Sequence, residues 1–466
     1  MRTHILKTVA FGSMALTVLV LVVATLLEKI YGTSFTLSNI YHSTWFIALW
    51  SLLAVTAMAY TLSISRRTTL IIFHMSLAVI LSGAFLSFVT SKHGYIILAR
   101  ETVPASMFTT DKGTLEKLPF TLQLAGIDTI YTNDGKQPCD YRATVILDDK
   151  EEICLMQASL NKPIKREGYS FCIKGTDDGN LSLLVAHDIY GLPVSYAGYL
   201  MMFLSFIYLF IDKQSGFSRI ICQLKGDATA ENPKDKPHHK AFGHKVIWLL
   251  PIAPIVIFVV WKKDGTFPVT NGVESLLFLA MTATALAIVF RFKKRFAHLS
   301  WVLAIAAGIT ALIAICSFDG NNSVQPILRS PLLGIHVTTI IVAYALLGCT
   351  AINATVALFC KSEKRAKSLA LIGQLMLYPA TMLLATGIFI GAVWANVSWG
   401  RYWGWDPKEV WALITLLACS FTFHTHSLPF MAKPTFFHKY CILLFLTMLF
   451  TYLGVSYLLG GMHSYM

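Results

Sequence analysis

The stretch VWANVSWGRYWGWDPKEVW, residues 393–411, holds five of the chain's ten tryptophans between two long apolar runs. Interfacial tryptophans ordinarily form a belt spread over many helix ends at the membrane–water boundary. Half of them crowded into one loop makes instead a platform on which another large flat ring can stack. Trp394, Trp399, Trp403 and Trp405 are the candidate platform residues. The end of the stretch also has a purely local explanation. In WDPKEVW, Asp406 stands at the N-cap, Pro407 at N1 and Glu409 at N3, a capping box with proline in its favoured place. Asp406 is therefore read mainly as a helix cap. The positive end of the capped helix faces the loop and suits an anionic group such as a propionate, with Arg401 and Lys408 nearby.

Four of the fourteen histidines stand out by position. His336 opens a helix in GIHVTTIIVAY, and His463 follows the last apolar run in GGMHSYM. Singly they read as an interfacial histidine and a frayed terminus. As a pair flanking the tryptophan loop on one face, they read as metal ligands. His74 lies seven residues past Arg67, which at a rise of ~1.5 Å per residue is ~10 Å into a hydrocarbon layer ~30 Å thick. His424 lies eighteen residues beyond Asp406, ~27 Å down a helix that descends from the loop side. One rises from the inner face and the other descends towards it. An ionisable residue at such depth is a functional hypothesis, whereas His426 is nearer the inner end and suits snorkelling. Neutral imidazole is a common axial ligand of haem iron, so two pairs at two depths suggest bis-histidine ligation and a path between the depths.

The elements that must position these residues follow from composition. Hydrophobic residues make up 55% of the 466 and charged residues only 14%, which excludes a soluble globular chain. Eleven runs approach the ~20 apolar residues a membrane helix needs: roughly 8–27, 45–62, 70–89, 193–211, 244–261, 273–290, 299–316, 336–359, 370–394, 409–427 and 440–459. The first is read as an anchor because TLLEKIYG lacks a small-residue cleavage site. The net charge of +13 gathers in alternate loops, such as RFKKR at 291–295 and KSEKRAK at 361–367, with Lys262–Lys263 as the exception. That is the positive-inside pattern and not a nucleic-acid footprint. It places the N-terminus inside and the C-terminus outside. Residues 91–192 alternate polar and apolar between turn signals and read as an external β-rich domain. Residues 212–243, with DATAENPKDKPHHK, read as an inner flexible linker. The expected fold is thus an all-α polytopic membrane protein of about eleven helices, with a small β-rich external domain between helices 3 and 4. Its parts are residues 1–90, 91–192, 193–211, 212–243 and 244–466. Nine cysteines form no CxxC or CxxCH, so the chain carries no covalent c-type haem itself. Cys139, Cys154 and Cys172 in the external segment leave room for one disulfide and an odd thiol.

The tryptophan stretch through FHTH at 423–426 resembles the WWD signature of haem-handling proteins of cytochrome c biogenesis, specifically the CcsA (ResC) branch. GIHVTT and GMHSY are similar to that branch's two external histidine motifs, and FHTH to its membrane histidine, His424. The N-terminal half, with FHMSLAVILSGAF around His74 and then GYIILARE, more loosely resembles CcsB (ResB). Together the halves resemble fused CcsBA-type cytochrome c synthases of a bacterial inner membrane, although the external domain is shorter than that family leads one to expect. The resemblance implies haem b as cargo and substrate, and an apocytochrome c bearing CxxCH as partner, with membrane lipid around the helices. It implies His336 and His463 as the catalytic iron ligands in the WWD loop region (394–411), and His74 and His424 as iron ligands on the route. Two other classes stay open: a haem carrier serving a separate ligase, and a b-type electron-transfer cytochrome. Four histidines on four different helices argue against the latter.

Overall fold

The computed structural model describes residues 2–65, 67–100, 103–131, 138–149, 152–177, 179–229, 269, 271–292, 296–317 and 325–461. Helix α1 (Arg2–Tyr31) leads through a short turn α2 (Thr33–Thr36) to α3 (Thr44–Ile64) and α4 (Thr68–Thr90). Eight strands follow: β1 (Lys92–Leu98), β2 (Ala105–Thr110), β3 (Leu115–Tyr131), β4 (Pro138–Asp148), β5 (Ile153–Ala158), β6 (Ile164–Arg166), β7 (Tyr169–Asp177) and β8 (Asn180–His187). Then come α5 (Gly191–Ile211), α6 (Gly216–Thr229), α7 (Gly272–Arg291), α8 (Ala297–Cys316), α9 (Pro331–Leu358), α10 (Glu363–Trp399), α11 (Pro407–Phe421) and α12 (Pro434–Leu449), the last continuing in wider turns to Leu459.

Nine helices among the described residues are long and apolar enough to cross a membrane. The chain is therefore a multi-pass membrane protein, mostly helical, with a β-sheet domain between its third and fourth spans. Of the eleven expected spans, the run 244–261 lies outside the described residues, and one differs among them. The run 409–427 contracts to α11, whose fifteen residues reach only ~22 Å, short of a ~30 Å hydrocarbon layer. It stops because Thr422 turns its hydroxyl back onto the carbonyl of Cys419 at 2.7 Å, competing with the helix ladder, and Pro429 bars continuation. His424 consequently lies in a turn beyond the helix, which corrects the depth expected of it on a continuous helix. The expected linker is also helical over its first part, α6, whose apolar residues Ile220 and Leu224 are buried. The stretch DATAENPKDKPHHK beyond Thr229 lies outside the described residues.

The sheet is antiparallel throughout, in the order β5-β4-β3-β2-β1-β8-β7-β6. Its strands bury alternate residues, as a half-covered sheet must. Phe108, Phe120, Val145, Phe171 and Val185 meet in its core. The outer strands β5 and β6 are consecutive in the chain and linked by paired bonds between Ser159 and Lys162. An ion pair of Arg166 with Asp149 draws the same edge together. No disulfide joins Cys139, Cys154 or Cys172.

Helix α10 is interrupted by nothing but Pro379 and ends where Gly400 takes the left-handed conformation at φ 74°, the usual residue for that cap. Six residues later the expected capping box forms. Asp406 Oδ1 accepts from the Lys408 amide at 2.9 Å, and Glu409 Oε2 accepts from the Asp406 and Gly404 amides at 3.2 and 2.9 Å. The tryptophan loop is thus fixed at both ends by local chemistry.

Candidate functional site

The inner histidines come together from different halves of the chain. The rings of His74 and His424 lie 6.4 Å apart, centre to centre, at 78° to one another. A metal–imidazole bond of ~2 Å on either side, plus the two ring radii, separates trans imidazole centres by roughly 6–6.5 Å. The spacing therefore fits one metal ion held between them. Each ring is also set in the matching tautomer. His74 Nδ1 donates to the Leu70 carbonyl and His424 Nδ1 to the Ser420 carbonyl, both at 2.8 Å. A carbonyl only accepts, so the proton sits on Nδ1 and the neutral ring's lone pair on Nε2. Phe11 packs edge-on against His424 at 5.2 Å, and Phe73 against His74.

His336, on α9, is prepared in the same way, with Nδ1 donating to the Gly387 carbonyl at 2.7 Å. It fits closely because α10 carries glycine opposite. A Cβ at Gly391 would fall 2.7 Å from both Cε1 and Nδ1 of the ring. Two further histidines in the helical region behave differently. His438 is fully buried and uses Nε2 to bond the Ala366 carbonyl, and His298 Nε2 meets Asn353 Oδ1 at 3.1 Å. Their outer nitrogen is spent on structure. The hydrogen-bonded nitrogen thus divides these histidines into an Nδ1 group and an Nε2 group, a difference no motif marks. His463 lies outside the described residues. Gly461, two positions before it, lies against the loop: a Cβ there would be 2.6 Å from Asp406 Oδ2.

The tryptophans fall into two groups. Trp394 is only 1% exposed, packs on Leu328 and Leu333, and donates from Nε1 to Asn161 Oδ1 at 3.3 Å. Trp399 lies edge-on to it at 4.8 Å. Asn161 belongs to the β domain and also accepts from Ser398, while its amide nitrogen donates to the Ile327 carbonyl. These two tryptophans therefore help seat the β domain on the end of α10. Trp405 stacks face to face on Tyr41 at 4.6 Å and 9°, with Phe46 and Trp403 at its edges. It holds φ 59°, a conformation that side chains rarely adopt. Trp403 and Trp405 are only half-buried, and Asp406, next in the chain, is 5% exposed. Tyr41 and Asn161 were both missed in the sequence, where neither stands in a motif.

Cys172 on β7 also reaches the loop, its thiol donating to the Val397 carbonyl at 3.5 Å. Burial pushes that thiol up to about 11, so it is an inert packing group and not a nucleophile.

The chain is a many-spanned protein whose β domain is seated on a tryptophan loop, with His74 and His424 brought together from its two halves. The family model of the cytochrome C assembly protein matches residues 269–463, and that of the ResB-like family matches residues 63–243. The cytochrome c biogenesis protein CcsA of Coffea arabica is 30% identical over 257 residues, covering 44% of this chain and 79% of that protein. CcsA of Chlamydomonas reinhardtii is 32% identical over 237 residues, 45% of this chain and 64% of the relative. Protein NrfI of Wolinella succinogenes is 32% identical over 213 residues, 43% of this chain but only 23% of NrfI. The chain thus spans under two thirds of the length of those last two relatives. It belongs to the cytochrome c assembly (CcsA) family, with a ResB-like segment preceding it in the same polypeptide.

Proposed function

We propose that this protein matures c-type cytochromes: it carries haem across the cytoplasmic membrane of a bacterium and joins it to the CxxCH cysteines of an apocytochrome c. In this reading the N-terminus lies inside, and the β domain, the tryptophan loop and His463 lie outside. Residues 1–90 and 193–211 form the CcsB-like membrane part, 91–192 the external domain, and 244–466 the CcsA-like part. The observation that carries the reading is the meeting of His74 and His424 from the two halves of the chain, ring centres 6.4 Å apart, with Nδ1 of each engaged by a carbonyl of its own segment.

Haem is cargo at the inner pair and substrate at the loop. His74 and His424 take it at the inner level. At the outer level His336 and His463 fill the axial positions while Trp403 and Trp405 fix the plane of the ring. Each thioether forms when a substrate thiol adds across a haem vinyl. Sulfur bonds to the carbon next to the ring, and the thiol's proton goes to the terminal carbon. The addition consumes no oxidant or reductant, and His336 and His463 would hold the iron until the substrate histidine takes the place of one of them. No protein nucleophile takes part, so positioning is the main contribution to rate.

The deciding experiment expresses the full chain with a CxxCH reporter in a host lacking its own maturation system, followed by staining for covalent haem. Covalent product supports the synthase. Haem-loaded protein without product replaces that reading with the carrier, and reversible quinol-linked redox turnover replaces it with the electron-transfer class.

A further inference from the structure

One residue of the loop has no part in the site so far. Tyr402 is 9% exposed, and its ring packs with Tyr199 and Ala392. Its hydroxyl accepts from Ser195 Oγ at 3.2 Å and donates to Ser87 Oγ at 3.2 Å. Ser87 in turn donates to Asp188 Oδ2, while Asp188 Oδ1 accepts the amides of Gly191 and Leu192 at 2.9 and 3.2 Å. Three hydroxyls thus run in one direction, Ser195 to Tyr402 to Ser87, and end on a carboxylate. Bonds so aligned polarise and strengthen one another.

The location gives this chain its meaning. Ser87 sits on the last turn of α4, just before the β domain begins, and Asp188 sits just after β8, where the domain returns to α5. The two helices are in backbone contact there. A Cβ on Gly83 would fall 2.4 Å from Ser195 Oγ, and one on Gly191 would fall 2.1 Å from Ser87 Oγ. Both connections of the β domain are therefore gathered on one phenol that belongs to the tryptophan loop. The α4 helix that carries Ser87 also carries His74.

We infer that Tyr402 is a positioning residue of the outer site: its hydroxyl fixes the middle of the tryptophan loop against the α4–α5 pair and so sets the ring surfaces of Trp403 and Trp405 relative to His336. The inference rests on the proposed haem reading for what the position is used for, and not for the tie itself. The ring of Tyr402 supplies packing and its oxygen supplies the placement. Removal of the oxygen alone leaves the fold and loosens the loop.

The test compares Tyr402→Phe, Ser87→Ala and the double variant in the full-length membrane protein. In the covalent-haem assay, kcat is expected to fall about tenfold in either single variant, with KM for the apocytochrome and inner-site haem loading unchanged. The double variant is expected to be no worse than the singles, because both remove the same tie. Additive losses, or an unchanged kcat in Tyr402→Phe, overturn the inference. A second readout needs no haem: amide hydrogen exchange over residues 400–406 is expected to quicken in both singles, and wild-type exchange rates there also overturn it. Failure of the haem reading looks different, since the wild type itself then yields no covalent product while the exchange measurement still decides the tie.

Discussion

The inner histidine pair and the tryptophan loop are built on opposite plans. The histidine pair uses few parts: two imidazoles, each braced by the carbonyl one turn before it, meet across the halves of the chain with Phe11 and Phe73 packed edge-on against them. The loop is crowded, and most of its aromatic surface is engaged in seating neighbours. Trp394 is sealed under Asn161 with Trp399 edge-on to it, Trp405 leans on Tyr41, and the capping box fixes the descent into α11. A site that only passes a ligand on needs two donors at the right separation. A site that must hold the ligand through bond formation needs a rigid surround.

The largest effect is expected at the histidine pair, which has no redundancy. His74→Ala or His424→Ala is expected to lower haem recovered with the purified protein by roughly tenfold or more, read from the Soret absorbance per mole of protein. Normal loading in both variants removes the contrast altogether. At the outer level, Gly391→Ala is expected to separate stability from activity. Alanine in a helix interior stabilises by about 0.5–1 kcal/mol, yet its methyl meets the His336 ring at 2.7 Å. Covalent haem transfer is expected to drop about tenfold, with a melting temperature lowered only modestly because the helix gain offsets part of the cost of displacing the ring, and exogenous imidazole is expected to restore transfer in part.

Asn161→Ala tests the seating role of the buried tryptophans. It leaves the Trp394 indole N–H without its acceptor, a cost of about 1–3 kcal/mol, visible as faster proteolysis of the β domain in the intact protein. The smallest effect concerns acid. Burial holds the His93 imidazole of β1 below its ordinary value of 6.5; Asp111 and Asp188 oppose this, and Arg401 acts with it. The unfolded chain therefore takes up this proton first, and the stability His93 contributes is present above about pH 6.5 and declines as the pH falls below it. His93→Gln is expected to flatten part of that decline in melting curves taken from about pH 7 to 5.

The sequence carried what is local or periodic. The capping box at Asp406 and Glu409 and the alternation of the β strands act within a few residues, and they stand where they were expected. Convergence of His74 with His424 was legible from depth, though the route was not. The chain reaches His424 through a turn, because hydroxyl competition at Thr422 ends α11 early. Contacts between remote segments left no trace. Nothing around Tyr41 marks it as the partner of Trp405, and Asn161 stands in an ordinary strand connection. The tautomers were equally invisible, since they depend on which carbonyl each ring faces.

The left-handed backbone at Trp405 has a consequence for biogenesis. Such a conformation costs of order 1–3 kcal/mol for a bulky residue and persists only where neighbours impose it. Those neighbours, Tyr41 and Phe46, leave the ribosome early, and the adjoining contact of Thr25 with Trp411 spans 386 residues. At ~5–20 residues per second the first helices wait ~20–80 s for the segment they will mould. The aromatic loop thus sets late, cast on a template made long before it. A chain stalled in translation before that point would hold its template without the piece it shapes.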